Sequence, residues 1–538
     1  MSRKKKMHSA AAVTLALSLA FPGASALAAS PVAASQSGTA LVPVRETAAG
    51  LEALVEWNQH EQTVTVKKGS YVLVLHVGKK QALLDGKAVN LNEAVRVASG
   101  HVLVDSAFIT KVLADAETPG DPADAFMELL KSGNGAKAAE YVSPSSASVL
   151  SPQLLDILWS NYANVFGQIG EQTTRTEKTN AIHRNVTYTF QAAAAPFNFI
   201  LRMNPEGQVD DFYLEAATPS PYQKPVYDNS DAYTEQEVIV GEGTLALPGT
   251  LTLPKGDGPF PAVVLVQGSG PHDRDSSIGG AKPFRDLAAG LASQGIAVLR
   301  YDKVTYEHSL KVSTNPKFTL KRESADDALS AVQLLKETAK IDGSRIFVAG
   351  HSQGAFVMPL ILDGDKAGDI TGAILLSGPS GKFADILAEQ QKELVSRVKQ
   401  SGQDATLYEQ QAAQYTAIAD MVNDPQYTVD NMPANFPLQP AYWWFEQKNY
   451  KPSELAKKQS GPLLILQGEN DWQVPLKQLD GWKQALKSRT GVEYKSYPKV
   501  NHLLAEYDGI STGTEYYQPS NVSKEIVDDI AAWVKKTK

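Results

Sequence analysis

Eleven residues past the middle of the chain limit its fold more than any others: Arg345-Ile346-Phe347-Val348-Ala349-Gly350-His351-Ser352-Gln353-Gly354-Ala355. A short apolar run leads straight into Gly-x-Ser-x-Gly. Ala355-Phe356-Val357-Met358-Pro359-Leu360 then continues as a helix that opens near Gln353. A strand that passes into a helix within one residue needs a very tight turn. The serine backbone is strained there, and glycines two before and two after keep side chains out of the way. The serine hydroxyl then stands at the carboxyl end of a central sheet, with helix N–H groups aimed at whatever it attacks. A bare Gly-x-Ser-x-Gly arises by chance in roughly one chain of this length in five. The strand and helix around it, and the residues further along, therefore carry the assignment.

The 538 residues suggest three or four domains at about 150 residues each. With 43% hydrophobic and 20% charged residues, the chain reads as soluble and globular. The net charge of -8 and the lack of any basic patch give no sign of a nucleic-acid partner. Arg3 to Lys6 form a positive n-region, an apolar run extends from about Ala10 to Phe21, and Ala26-Leu27-Ala28 resembles a cleavage site. Residues 1–28 thus read as a signal peptide, since the apolar run is short of the ~20 residues that span a bilayer. The expected location is secreted or extracellular, with association to the cell surface or wall open. An exported chain with no cysteine has neither disulfides nor thiolate metal sites. Residues 30–39 read as a polar linker.

Residues 40–117 read as a small β-rich unit. Thr63 to Gly69 and Tyr71 to Gly78 alternate, and Asp85-Gly86 is a hairpin signal. The stretch from Leu41-Val42-Pro43-Val44-Arg45 to Asp85-Gly86-Lys87-Ala88-Val89 resembles the copper amine oxidase N-terminal domain, a stalk-type module. The family's second Pro-Leu-Arg-like motif is degenerate here, as Val102-Leu103-Val104-Asp105-Ser106-Ala107-Phe108. No copper is expected, because His60, His76 and His101 lack paired-ligand spacing. A spacer or wall-associated role is implied. After a break at Thr118-Pro119-Gly120-Asp121-Pro122, residues 123–217 show helices and then strands. They resemble an NTF2-like α+β domain of the kind found ahead of secreted hydrolases, expected here as an accessory part. Pro219 to Pro225 reads as the next linker.

From 233 to 538, strands alternate with helices, which makes a doubly wound, mostly parallel sheet. Ala262-Val263-Val264-Leu265-Val266 is apolar throughout, as a strand buried on both faces must be. With the Ser352 turn and this order, the segment resembles an α/β-hydrolase, close to the esterases related to the prolyl-oligopeptidase-like clan. The expected fold class is α/β, with a helical cap at about 382–460 and the two smaller domains in front.

In that fold the triad runs serine, acid, histidine. Of nine histidines only His502 lies beyond Ser352, in a loop ahead of the final helix. Asp471, in Gly468-Glu469-Asn470-Asp471-Trp472-Gln473-Val474-Pro475, matches the family's acid, with Glu469 as the nearby alternative. The oxyanion hole calls for two backbone N–H groups. Gln353 is expected to supply one and Ser269 the other, with Gly270 second. Pro271 has no N–H. The family's usual His-Gly is Gln267-Gly268 here, and the glycines of its Arg-x-Asp-x-Arg-Gly-x-Gly stretch are missing after Arg300-Tyr301-Asp302-Lys303. Asp302 reads as structural. Tyr442, Trp443 and Trp444 in the cap are candidates for the substrate pocket, or for packing of cap against body.

The resemblance implies a serine carboxylesterase for small or short-chain acyl esters, with no cofactor and no metal. Two alternatives stand beside it: a serine peptidase or aminoacyl amidase of the same fold, and a non-catalytic surface-binding protein. Thioesters and lactones also remain open as substrates. The oligomeric state is not legible in the sequence.

Overall fold

The computed structural model describes residues 41–538 apart from 50, 52, 69–70, 85 and 116–120. The expected signal peptide at 1–28, the linker at 30–39, Asp85 of the hairpin turn and most of the break at 118–122 lie outside the described residues. The described residues form two compact units, one through Asn134 and one from Gly135 onward. Among them, no helix is long and apolar enough to cross a membrane.

The first unit holds a five-stranded antiparallel meander (Leu54–Asn58, Thr63–Lys68, Tyr71–His76, Gln81–Leu84, Lys87–Asn90). It also holds a three-stranded sheet from Leu41–Pro43, His101–Asp105 and Arg96–Ala98. Alternating residues Val64, Val66, Leu73 and Leu75 turn inward, with Val104, Ile109 and Leu113 in the same core. The helix Ser106–Asp115 starts at Asp105, whose Oδ1 accepts from the N–H groups of Ala107 and Phe108. This capping places a helix start inside the degenerate motif. The helix Pro122–Lys131 belongs to this unit as well, although the sequence pattern groups it with the domain after it.

The second unit is organised by one eight-stranded sheet. Its strands are β1 (Tyr233–Val240), β2 (Leu247–Pro254), β3 (Phe260–Val266), β4 (Ala297–Tyr301), β5 (Ile341–His351), β6 (Ile370–Leu376), β7 (Leu463–Gly468) and β8 (Val492–Tyr497). The spatial order is β1-β2-β4-β3-β5-β6-β7-β8. Only β1–β2 and β2–β4 pair antiparallel, and every later pair is parallel. Successive side chains of a strand point to opposite faces, and both faces are covered here. Val264 and Val266 pack with Ala328, Leu335 and Phe356. Val263 and Leu265 pack with Phe284, Ile526 and Trp533. This is why the central strands read as unbroken apolar runs. Between β6 and β7 lies the cap, with long helices Phe383–Gln400 and Thr406–Asn423 and short ones at Ala441–Glu446 and Pro452–Ala456.

Residues ahead of β1 form an α+β part of the same unit. Helix Pro152–Phe166 packs aromatic rings onto a four-stranded antiparallel sheet, with Trp159 against Phe190 (4.9 Å) and Phe166 against Phe197 (4.4 Å). The sheet order is Val209–Ala216, Phe197–Met203, Arg184–Ala192, Ile169–Thr179. The last of these is polar and almost wholly exposed, so no alternation marks it in the sequence.

A buried ionic cluster joins this part to the segment after β4. His183 bonds through both ring nitrogens to carboxylates, Nδ1 to Glu307 (2.7 Å) and Nε2 to Asp210 (2.9 Å). Lys311 Nζ also donates to Asp210, and Leu310 N–H donates to Asp211 (3.1 Å). Arg202 lies buried among Asp211 and Glu307. Two carboxylate partners require a proton on each nitrogen of His183. Burial opposes that charge, but the bonds to Asp210 and Glu307 outweigh it and raise the pKa above the ordinary value. A raised histidine pKa stabilises the fold fully below the unfolded value of about 6.5, and that contribution is lost as pH rises through the folded pKa. His183→Gln should therefore cost about 3–5 kcal/mol at pH 6. Denaturant titrations of wild type and variant at pH 6, 7.5 and 9 should show the gap narrowing as pH rises. A gap that stays constant would contradict an imidazolium here.

Candidate active site

β5 and the turn after it position Ser352. The residue sits at φ 55°, ψ -115°, a left-handed conformation that non-glycine residues seldom adopt. Its N–H donates to Leu376 O (2.9 Å) and its carbonyl accepts from Phe356 N (2.9 Å). The flanking glycines are required by contact. A Cβ on Gly350 would lie 2.3 Å from Gly354 C, and one on Gly354 would lie 2.1 Å from Val266 O. The helix that follows is shorter than its sequence suggests. Gln353–Phe356 makes one turn, and a second helix, Met358–Gly364, begins with Pro359 in its first turn.

The loop after β7 carries Asp471, and the loop after β8 carries His502. His502 Nδ1 donates to Asp471 Oδ2 (2.8 Å), and the two residues are 4% and 0% exposed. Asp471 Oδ1 accepts from the N–H groups of Gln473 and Val474, both at 2.9 Å. Burial would raise the Asp471 carboxyl, but the His502 ring and the Val474 N–H hold it below the ordinary value. With its proton on Nδ1, the imidazole keeps Nε2 free to accept one. Glu469 is exposed instead and accepts from Ser496 Oγ (2.7 Å). Of the two carboxylates considered for the acid, only Asp471 meets the histidine.

Two supports of this pair do not show in the sequence. The His351 ring lies 4.7 Å from the His502 ring, and its Nε2 donates to His502 O (2.7 Å). Burial and the nearby His502 hold the His351 pKa down at about 3, so it stays neutral. From the cap helix Phe383–Gln400, Arg397 donates to Asn470 O (3.0 Å) and Asp471 O (3.3 Å). The cap thus grips the acid loop by its carbonyls.

The loop after β3 also approaches Ser352. A Cβ on Gly268 would lie 3.3 Å from Ser352 Cβ. Gln267, where the family usually has histidine, donates from its side chain to Tyr301 O. Lys303 Nζ donates to Gly268 O (2.7 Å), and His272 Nε2 to Ser269 O (2.8 Å). Gly270 takes φ 88°, and Thr305 Oγ1 donates to its carbonyl (3.2 Å). Asp302 binds Arg274 through both carboxylate oxygens (3.1 and 3.0 Å) and takes Arg274 N–H at 2.7 Å. These bonds shape the loop after β3 and tie it to the segment after β4. Ser269 is exposed and Gln353 is buried.

The aromatic run of the cap is divided in its roles. Trp443 packs between Phe383 and Trp444, is 7% exposed, and commits its indole N–H to Glu323 (2.6 Å). It is a packing residue, not a wall open to substrate. Tyr442 and Trp444 keep partly exposed edges. A separate acidic groove of about 450 Å³ lies between the two long cap helices, and it contains none of Ser352, Asp471 or His502.

Among the described residues, one group has the spacing of metal ligands: His183, Asp210 and His308. Most of its donor atoms are taken, although the buried His308 Nδ1 has no hydrogen-bond partner. Both His183 nitrogens bind carboxylates, Asp210 holds the Lys311 ammonium, and His308 Nε2 donates to Ala246 O (2.7 Å). It is an ion-pair cluster. In the first unit, His101 pairs with Glu46 at the surface.

Residues 262–507 match the family described as "Serine aminopeptidase, S33", and residues 24–116 match "Copper amine oxidase N-terminal domain". Esterase EstD of Thermotoga maritima is 32% identical over 411 residues, which cover 76% of this chain and 94% of that protein. The chain belongs to the α/β-hydrolase esterases. It is a serine ester hydrolase with an additional N-terminal module. The match to the Thermotoga esterase is longer than residues 233–538 can supply, so it runs into the α+β part as well. Among solved structures, Est1E of Butyrivibrio proteoclasticus is similar (18% identity, 56% of this chain, 98% of that one, TM-score 0.36). So is an esterase of Pyrococcus furiosus (15% identity, 60% and 98% covered, TM-score 0.36).

The two carboxylates of the acid loop should separate cleanly. Asp471→Asn should lower kcat for an ester by roughly 10³–10⁴-fold, because the amide favours the wrong imidazole tautomer. Glu469→Gln should stay within about threefold of wild type, a margin that one surface side chain seldom exceeds. Steady-state kinetics on purified variants reads both.

Proposed function

We propose that this esterase cleaves small or short-chain acyl esters through an acyl-enzyme on Ser352. His502 Nε2 takes the Ser352 proton as Oγ attacks the ester carbonyl. Gln353 and Ser269 N–H groups receive the oxyanion. The tetrahedral adduct collapses, and the departing alkoxide takes the proton from His502 and leaves as the alcohol. Water then gives a proton to His502 and attacks the acyl carbon, and as the second adduct collapses Ser352 Oγ leaves, takes that proton back from His502 and frees the acid. Asp471 keeps the imidazole in place and balances the imidazolium between these steps. The observation that carries this reading is the buried Asp471–His502 bond at 2.8 Å beside a serine held on a left-handed turn. No step calls for a metal or cofactor. Close ring packing within the cap, of Phe383 on Trp444 and of Phe436 on Trp444 and Phe445, supports the reading of small substrates.

A second reading, hydrolysis of aminoacyl amides, is favoured by the description of the family matched at 262–507. Nitrophenyl acetate, butyrate and octanoate, tested beside aminoacyl nitroanilides, distinguish the two. Acetate and butyrate should turn over fastest, and Ser352→Ala and His502→Ala should each lower kcat at least about a thousandfold. Turnover of the anilides alone would favour the peptidase, and ester turnover unchanged in Ser352→Ala would sink the mechanism.

We also propose export, with the copper amine oxidase N-terminal-like module keeping the enzyme at the cell surface. Arg3 to Lys6 followed by the apolar run supports this. N-terminal sequencing of protein from a secreting bacterial host should begin at Ala29, and an intact Met1 would refute it.

A further inference from the structure

Behind the oxyanion loop lies a buried polar knot that the reaction above does not use. Lys303, just past β4, is 2% exposed. Its ammonium donates to Gly268 O (2.7 Å), Glu323 Oε1 (2.6 Å) and Gln353 Oε1 (3.0 Å). All three of its protons are thereby used. Glu323 is 6% exposed and sits on a single π-helical turn, Lys321–Ala325. Its Oε2 accepts from the Trp443 indole of the cap (2.6 Å) and from Gln353 Nε2 (3.4 Å). A buried ion pair is poor at stabilising a fold, because desolvation consumes most of its attraction. Two apolar residues would fill the same space more cheaply.

The acceptor on the loop gives the pair a purpose. A trans peptide is planar, with its C=O and the following N–H pointing to opposite sides. Gly268 O turns inward to Lys303, so Ser269 N–H turns away from it. Gly268 meanwhile lies against Ser352. A cation on the carbonyl also draws electrons out of the amide and strengthens that N–H as a donor. We propose that Lys303, held by Glu323 and Trp443, is a positioning residue that orients and polarises the Gly268–Ser269 peptide for the oxyanion. This rests on the assignment of Ser269 N–H to the oxyanion hole.

The test compares Lys303→Met, Ser269→Pro and the double variant on nitrophenyl acetate. Ser269→Pro removes the N–H itself and should cost roughly 10²–10³-fold in kcat. Lys303→Met should cost about 10- to 100-fold, below that ceiling, with KM nearly unchanged. Its Ki for a trifluoromethyl ketone, which forms an oxyanion on Ser352, should rise in the same ratio as kcat/KM falls. In the Ser269→Pro background, Lys303→Met should lower kcat no further, because both changes act through one N–H. A merely structural role would instead give multiplicative losses, which would overturn the proposal. So would a Lys303→Met kcat within threefold of wild type. Wild-type kcat in Ser269→Pro would overturn the oxyanion assignment, and the proposal with it. Loss in Ser269→Pro alone would overturn the Lys303 role and leave the assignment standing. Should Lys303→Met fail to fold, Glu323→Gln reads the same knot. A smaller loss with the same ketone proportionality supports the proposal, and a lower Tm at unchanged kcat/KM refutes it.

Discussion

Ser352 is held at a backbone conformation that costs on the order of 1–3 kcal/mol, and the surrounding sheet supplies the restraint. β5 lies inside an eight-stranded sheet whose two faces are both sealed by apolar packing. The strand cannot shift to relieve the residue that follows it. Gly350, Gly354 and Gly268 let three backbones crowd to within contact of one another at that point. A serine at this position can only turn its hydroxyl outward at the carboxyl edge. The loops after β3, β7 and β8 converge on the same edge.

Those loops are fixed mostly by polar contacts, in contrast to the apolar sheet that carries them. Asp471 is set by the N–H groups of its own turn and by Arg397 from the cap. His502 is set by Asp471 and by the neutral ring of His351. The loop after β3 is set by Gln267, His272, Lys303 and Arg274, each of them bonded to backbone or to a buried carboxylate. Hydrogen bonds of fixed length and direction suit this task, since apolar contacts alone would leave the loops free to slide.

The sequence displays the hydrolase fold clearly because burial on both faces makes β3 and β5 unmistakable, and because the Ser352 turn allows few residue patterns. The single histidine after Ser352 made His502 visible, and the spacing to Val474-Pro475 favoured Asp471 over Glu469. Other parts left no such mark. Strand Ile169–Thr179 is solvated along its length, so it has no apolar period. Lys303 and Glu323 are twenty positions apart, on different elements, and no local pattern couples them. An aromatic run in a cap is compatible with a pocket or with packing, and for Trp443 the choice depends on an indole N–H bond to Glu323 that no local pattern displays. The His183 cluster spans more than a hundred residues of chain and appears only once the fold brings them together.

One short segment connects these polar features. Lys303 grips the loop beside Ser352, and four residues later Glu307 begins the contacts with His183 and Arg202, with Leu310 and Lys311 completing them. Cut away from residues 135–232, the hydrolase sheet would expose a carboxylate and an ammonium whose counter-charges had been removed. The segment carrying them also carries the oxyanion loop's anchor. Residues 135–232 thus hold, through that segment, part of the support beneath the oxyanion loop.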